Sequence, residues 1–177
     1  MEKHVTSGLG IRIVLFVAVA ITIGCDRVTK HVAETTLAGI GSRSFLSDTV
    51  RLQYAENTGG FLGLGGDLHP AARMALFEVA TGFILLAIVG WAVRLRLAGW
   101  ALIGVALFVT GGACNWIDRV ARGSVVDFLI VGIGPVRTGI FNVADVAIMV
   151  GAAVFALTHI RQPESTPAPA GPPDDAL

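Results

Sequence analysis

Asp127 and Asp145 are the residues of this chain best suited to chemistry. Two carboxylates held close together in a low-dielectric site do not both ionise easily, so one keeps a proton while the other gives it up. The ionised group can then take a proton from a water while the protonated group donates to a carbonyl oxygen. That division of labour hydrolyses a peptide bond with no covalent intermediate and no metal. A divalent-ion site built from Asp and Asn oxygens is the weaker reading, because the cluster has no His and no close-spaced liganding motif. Amides and cations accompany the acids. Asn142 lies three residues before Asp145, which on a helix points both the same way. Asn115, Asp118 and Arg119 share one face of a helix end, where Arg119 can pair with Asp118 or bind a lipid phosphate or a substrate carbonyl. Asp26 and Lys30 stand at i, i+4 with the acid first, the favoured order for a pair. Asn57 falls in Asn57-Thr58-Gly59-Gly60, where turn formation is its plainer role.

The elements that must position these residues are membrane spans. The chain is 54% hydrophobic and 15% charged, with a mean hydropathy of +0.73, which is outside the soluble range and implies one small integral membrane domain. A formal net charge of zero gives no support for nucleic-acid binding. Cys25 and Cys114 sit in or beside apolar runs and read as packing residues. Spans are expected at about residues 11–32, 73–93, 97–117 and 138–160, each long enough as a helix to cross a hydrocarbon core of roughly 30 Å. The last carries Asp145 as its sole charge, so that face must meet protein or a wet cavity rather than lipid. Gly24-Cys25 after a basic start also resembles a cleaved lipoprotein leader, but Thr22 fits such a leader poorly and three more apolar segments follow. Ser44-Phe45-Leu46 and Thr49 to Tyr54 alternate like half-buried strands, so a small sheet on the membrane surface is expected. Trp91, Trp100 and Trp116 lie near span ends, as interfacial Trp does. Residues 1–161 form the membrane domain, and the Pro-rich residues 162–177 a disordered tail.

Four spans put both termini on one side. Asp26, Lys30, Asn57, Asn115, Asp118, Arg119, Asp127, Asn142 and Asp145 then all fall on the other side, gathered at one membrane face as a site would be. Charge counting does not fix which face this is: the long loops hold eight Lys or Arg against five elsewhere, but several of the eight belong to the cluster. On these grounds a peptidase competes with a small ion-coupled transporter that uses Asp145 as its protonation site, and with a membrane anchor without activity.

Five blocks bear on that choice: Asp26-Arg27-Val28-Thr29-Lys30, Asn57-Thr58-Gly59-Gly60-Phe61, Asn115-Trp116-Ile117-Asp118-Arg119, Val125-Val126-Asp127-Phe128 and Phe141-Asn142-Val143-Ala144-Asp145. In order and spacing the chain resembles lipoprotein signal peptidase (signal peptidase II) over roughly residues 10–160. The resemblance implies an all-α membrane protein of four transmembrane helices with a small extracytoplasmic β-sheet. It implies an aspartic endopeptidase of the bacterial inner membrane, without a cofactor, that cleaves prolipoproteins before a cysteine bearing diacylglycerol. Its site faces the periplasm, and globomycin-type cyclic peptides inhibit it. Asp127 and Asp145 would be the catalytic pair, with Asn57, Asn115, Arg119 and Asn142 binding substrate or supporting the pair and Asp26, Lys30 and Asp118 as structural partners. The expected partners are the prolipoprotein and membrane lipids, with the chain a monomer. One residue departs from the pattern: Cys114 stands before Asn115 where the family usually has Gly, which bears on close helix approach.

Overall fold

The computed structural model describes residues 2–60 and 64–160, with side chains described from residue 9 to residue 158. Helix α1 runs over Glu2–Leu37. It outlasts the expected span because no glycine or proline interrupts it between Gly24 and Gly39, where the backbone turns left-handed at φ +81°. Helix α2, Pro70–Arg94, begins with Pro70 in its first turn and His69 as N-cap, the ring Nδ1 accepting from Ala71 N at 3.3 Å. Its residues Met74–Ala80 are wound as a π-helix. A tight turn with Arg96 at φ +51° leads into α3, Gly99–Arg122. That helix ends at Gly123, left-handed at φ +76°, whose N–H bonds Arg119 O at 2.8 Å. Helix α4 covers Val143–Ile160.

Helices α1, α2 and α3 are long and apolar enough to cross a membrane, whereas α4 has a shorter apolar stretch, Val143–Thr158. The fourth span was expected from residue 138. The helix starts five residues later because Thr138 to Phe141 run extended beside a strand, with Thr138 N bonded to Val131 O at 2.8 Å and Phe141 bridged to Leu129. The tail at 162–177 lies outside the described residues.

The sheet is antiparallel, in the order β1-β2-β3-β4, with β1 over Arg43–Phe45, β2 over Val50–Asn57, β3 over Val125–Ile133 and β4 over Val136–Arg137. Leu52 pairs with Leu129 but Ala55 pairs with Asp127, so β2 carries one extra residue. Such a bulge sharpens strand twist and re-aims the side chains that follow it, here those leading to Asn57. The sheet packs on the end of α1 through Ala33, Leu37, Val126 and Phe128.

Polarity runs inside out. Phe16, Phe83 and Leu86 are each about 70% exposed, while Asp26, Lys30, Asp118, Asp127 and Asp145 are buried. A chain solvated by lipid rather than water has this distribution. Helices α3 and α4 approach more closely than side chains allow. A Cβ on Gly111 would lie 2.4 Å from Ala144 O, and one on Gly151 would lie 2.5 Å from Phe108 N. Small residues at such crossings let backbones touch, which is how membrane helices associate without a hydrophobic driving force. Cys114, the residue that departs from the resemblance, is buried three positions on from Gly111 in the same helix. Trp116 is half-buried: its Nε1 donates to Glu78 O at 2.6 Å, inside the π-wound turn of α2, and its indole covers Gly82.

Candidate active site

The N-terminus of α4 is the base of the site. Asn142 is not inside the helix, as its spacing to Asp145 implied, but caps it. Its Oδ1 accepts from Asp145 N at 3.0 Å, and its own N–H donates to Asp145 Oδ2 at 3.1 Å. This reciprocal pair is a capping box with Asp145 as its carboxylate, which satisfies amides the first helical turn leaves unpaired. Another of them, Ala144 N, donates to Asp26 Oδ1 at 3.1 Å. The residue that starts α4 thereby fixes the χ angles of Asp145.

The same Asn142 reaches the second acid. Its Nδ2 donates to Asp127 Oδ1 at 2.6 Å, while Asn57 Nδ2 donates to Asp127 Oδ2 at 2.9 Å. Asp127 and Asp145, 18 positions apart in sequence, are thus joined through one residue. Asp127 is 1% exposed. Burial pushes its carboxyl up to about 6, helped by the charge of Asp145 and opposed by the hydrogen bonds from Asn57 and Asn142.

Asn115 connects the acids to a buried ion cluster. Its Oδ1 accepts from Lys30 Nζ at 2.9 Å and from Asn142 Nδ2 at 3.1 Å, which leaves Nδ2 to donate to Asp145 Oδ1 at 2.9 Å. A flipped amide would set a donor against an ammonium, so Lys30 fixes the orientation of Asn115. Lys30 also lies 2.8 Å from Asp26 Oδ2 and 2.7 Å from Asp118 Oδ2. The contact with Asp26 is a close ion pair without hydrogen-bond alignment. The expected i, i+4 pair of Asp26 and Lys30 is present, buried rather than at a solvated helix end.

Arg119 does not pair with Asp118, which Arg27 and Lys30 occupy. Its Nε and Nη2 donate to Gly59 O at 3.0 and 2.5 Å, and its guanidinium lies 5.8 Å from the centre of the Phe77 ring. That ring fills the space beneath the loop, where a Cβ on Gly60 would come within 2.8 Å of it. Asn57 both ends β2 and makes the expected turn, its Oδ1 accepting from Gly59 N at 2.9 Å. Every candidate residue therefore joins one network. Arg27 and Phe77 belong to it as well. The adjacency of Arg27 to Asp26 was a usable sign, whereas nothing in the sequence marked Phe77.

The arrangement suits a hydrolase that needs an acid, a base and amides to orient them, and known proteins agree. The family described as Signal peptidase (SPase) II matches residues 18–161. The lipoprotein signal peptidase of Pelodictyon phaeoclathratiforme is 35% identical over 153 residues, covering 81% of this chain and 88% of its own. That of Streptococcus pneumoniae is 28% identical, covering 85% and 95%. A solved bacterial membrane enzyme structure superposes with a TM-score of 0.73 at 24% identity, covering 86% of this chain and 93% of that one, and so shares the fold. With residues 18–161 matched by the family model and four-fifths of its length aligned at 35% identity to a lipoprotein signal peptidase, this chain belongs to the signal peptidase II family.

Proposed function

We propose that this membrane protein cleaves diacylglyceryl-modified prolipoproteins just before the lipidated cysteine, with Asp127 and Asp145 as its catalytic pair. Family membership makes it a peptidase that removes signal peptides from prolipoproteins. The ion-coupled transporter is not favoured, because the family matched is a peptidase. The observation that carries the catalytic assignment is the double use of Asn142, bonded to both carboxylates.

Asp127 holds the shared proton, and Asp145, in the first turn of α4, holds the charge, which a helix N-terminus stabilises. A water between them gives a proton to Asp145 as it attacks the scissile carbonyl, and Asp127 protonates the carbonyl oxygen. The proton on Asp145 then passes to the amine nitrogen as the C–N bond breaks, and Asp127 takes a proton back from the gem-diol, which leaves the new carboxyl and restores the pair. Asn115, Asn57 and Asn142 hold the acids, and Arg119 holds the Gly59 carbonyl so that the loop after β2 borders the site. Asp26, Lys30 and Asp118 keep the helix ends together beneath.

The chain forms four spans in a bacterial inner membrane, with the sheet and both acids at the periplasmic face, where the lipid-tethered cleavage point of a substrate lies. Residues 1–161 make up the membrane domain, the chain works as a monomer among membrane lipids, and globomycin-type peptides occupy the same site. The direct test is incubation of the purified protein with a diacylglyceryl-modified prolipoprotein, following release of the signal peptide. Cleavage is expected, blocked by globomycin. Intact precursor under conditions where another family member cleaves it refutes the assignment.

A further inference from the structure

The far end of the sheet has a feature that catalysis does not use. Between β1 and β2, Leu46, Ser47 and Asp48 all adopt left-handed conformations, at φ +51°, +51° and +68°. L-residues disfavour this region, and a run of three non-glycine residues in it persists only if its surroundings enforce it. Asp48 does so. Its carboxylate accepts from Ser44 Oγ at 2.6 Å, from Arg51 Nε and Nη2 at 2.7 Å each, and from Arg137 of β4. The two arginines also hold the Asp48 carboxyl well below the usual carboxylate range, with the Arg51 hydrogen bond the largest cause, so the clamp persists in acid. What the strained turn displays is Leu46, 75% exposed.

The second turn of the sheet lies beside it, joined by Gly132 N donating to Thr49 O at 2.9 Å. There Ile133 and Val136 face each other across the Gly134-Pro135 turn, each 78% exposed. Phe45 is exposed as well. Arg43, exposed, and Arg51, half-buried, lie beside these apolar tips while Arg137 is mostly enclosed behind them, and three guanidiniums against the one Asp48 carboxylate leave a charge of +2. In water, strain spent on exposing leucine next to exposed isoleucine and valine has no return. At a phospholipid surface the same end has a fit: apolar tips for the acyl boundary and guanidiniums for the phosphates. The sheet cannot leave that surface, since β3 begins three residues after α3 ends and Asn142 opens α4.

We infer that the paired turns at residues 45–49 and 133–136 dip into the leaflet on the site's side and hold the sheet at a fixed depth, with the headgroups of anionic phospholipids as their partner. The inference rests on the membrane placement proposed above and adds a lipid-binding surface to it. The anchor would set the height of Asp127, which β3 carries, relative to a substrate whose cleavage point is also fixed by lipid.

The test places a bimane label on Leu46→Cys or Val136→Cys in a Cys25→Ser background, with Cys114 left buried. The protein is reconstituted in nanodiscs of phosphatidylcholine and phosphatidylglycerol brominated on the acyl chains, and prolipoprotein cleavage verifies that each labelled variant is folded. Phe83→Cys on α2 reports lipid contact and Gln53→Cys, exposed in mid-β2, reports water. Labels at 46 and 136 are expected to be quenched by the brominated lipid, and to be quenched by aqueous iodide about threefold less than at 53. Iodide quenching equal to that at 53, with lipid quenching only at 83, overturns the inference and leaves the membrane placement standing. Protection seen only in discs that hold two copies also overturns it, in favour of a contact between copies. No lipid quenching at 83 brings down the placement and the inference together.

Discussion

Asp127→Asn separates the stability of the site from its chemistry. Asp127 is buried, and its carboxyl is moved from 3.8 to about 6. The native protein therefore binds that proton more tightly than the unfolded chain does. Below about pH 3 the group is protonated in both states and costs nothing; as pH rises towards 6 the unfolded chain ionises first and stability falls; above about pH 7 the loss is complete. A displacement of this size corresponds to about 3 kcal/mol. Asparagine cannot ionise, so the variant escapes that loss. It has a cost of its own, because one carboxylate oxygen becomes an NH2 group facing Asn57 Nδ2 or Asn142 Nδ2, both of them donors. That cost does not vary with pH. Wild type and variant, unfolded thermally or with denaturant in the same detergent at a series of pH values, should thus differ by an amount that moves about 3 kcal/mol in favour of the variant between pH 3 and pH 8, while prolipoprotein cleavage by the variant is lost at every pH. A difference in stability that is flat with pH, or that moves towards the wild type, refutes the picture of Asp127 as a carboxyl whose hold on its proton is strengthened by burial.

Three other outcomes follow from distances in the structure. Lys30→Met removes the ammonium shared by Asp26, Asp118 and Asn115 and should cost roughly 3–5 kcal/mol in thermal unfolding, because buried carboxylates lose their partner; adding Asp26→Asn should recover part of it, and no recovery would count against Asp26 as the stranded charge. Gly111→Ala places a Cβ against Ala144 O at 2.4 Å and should destabilise by about 1–3 kcal/mol while lowering cleavage, whereas Gly112→Ala meets only Leu85 Cδ2, at 2.8 Å, and should be milder in both assays. Asn142→Ser keeps a hydroxyl able to cap α4 but removes Nδ2 from buried Asp127, so stability should fall by about 1–3 kcal/mol while kcat for prolipoprotein cleavage falls about a hundredfold or more.

The acids, amides and ions of the site were legible in the sequence because a charge within an apolar run is costly and must have a reason. Asp145 stands out among the uncharged residues from Thr138 to Ile160 on that ground alone. Strand β3 was not legible in the same way. Val125–Ile133 is apolar on both faces, since it lies mid-sheet and packs on α1, so it lacks the alternation that marks a half-buried strand. Hydropathy also could not separate Thr138–Phe141 from α4, because an uncharged extended segment and an uncharged helical one score alike. The sign that could have done so is Asn142-x-x-Asp145, a capping spacing that places a helix start at Val143. The π-wound turn under Trp116 and the change of partner at Arg119 depend on how helices meet, which no local pattern records.

The joint use of Asn142 explains why a site of this kind sits where a helix begins. Inside a membrane helix every backbone amide is already bonded, so a carboxylate there finds only side chains as partners. At the first turn, amides are still free, and an acid can be held rigidly by the backbone without a second charge beside it. Asp145 uses that opportunity through Asn142 N, and Ala144 N is taken by Asp26, leaving the Asn142 side chain to reach across to β3. In the proposed placement the helix start is also the depth at which the chain leaves the hydrocarbon, which would let water reach one side of the acid pair while lipid-tethered substrate approaches from the other. Fixing the cap, spacing the acids and setting their depth are one structural act, and for that reason the close α3–α4 crossing at Gly111, directly beneath Ala144, matters to catalysis although it touches neither carboxylate.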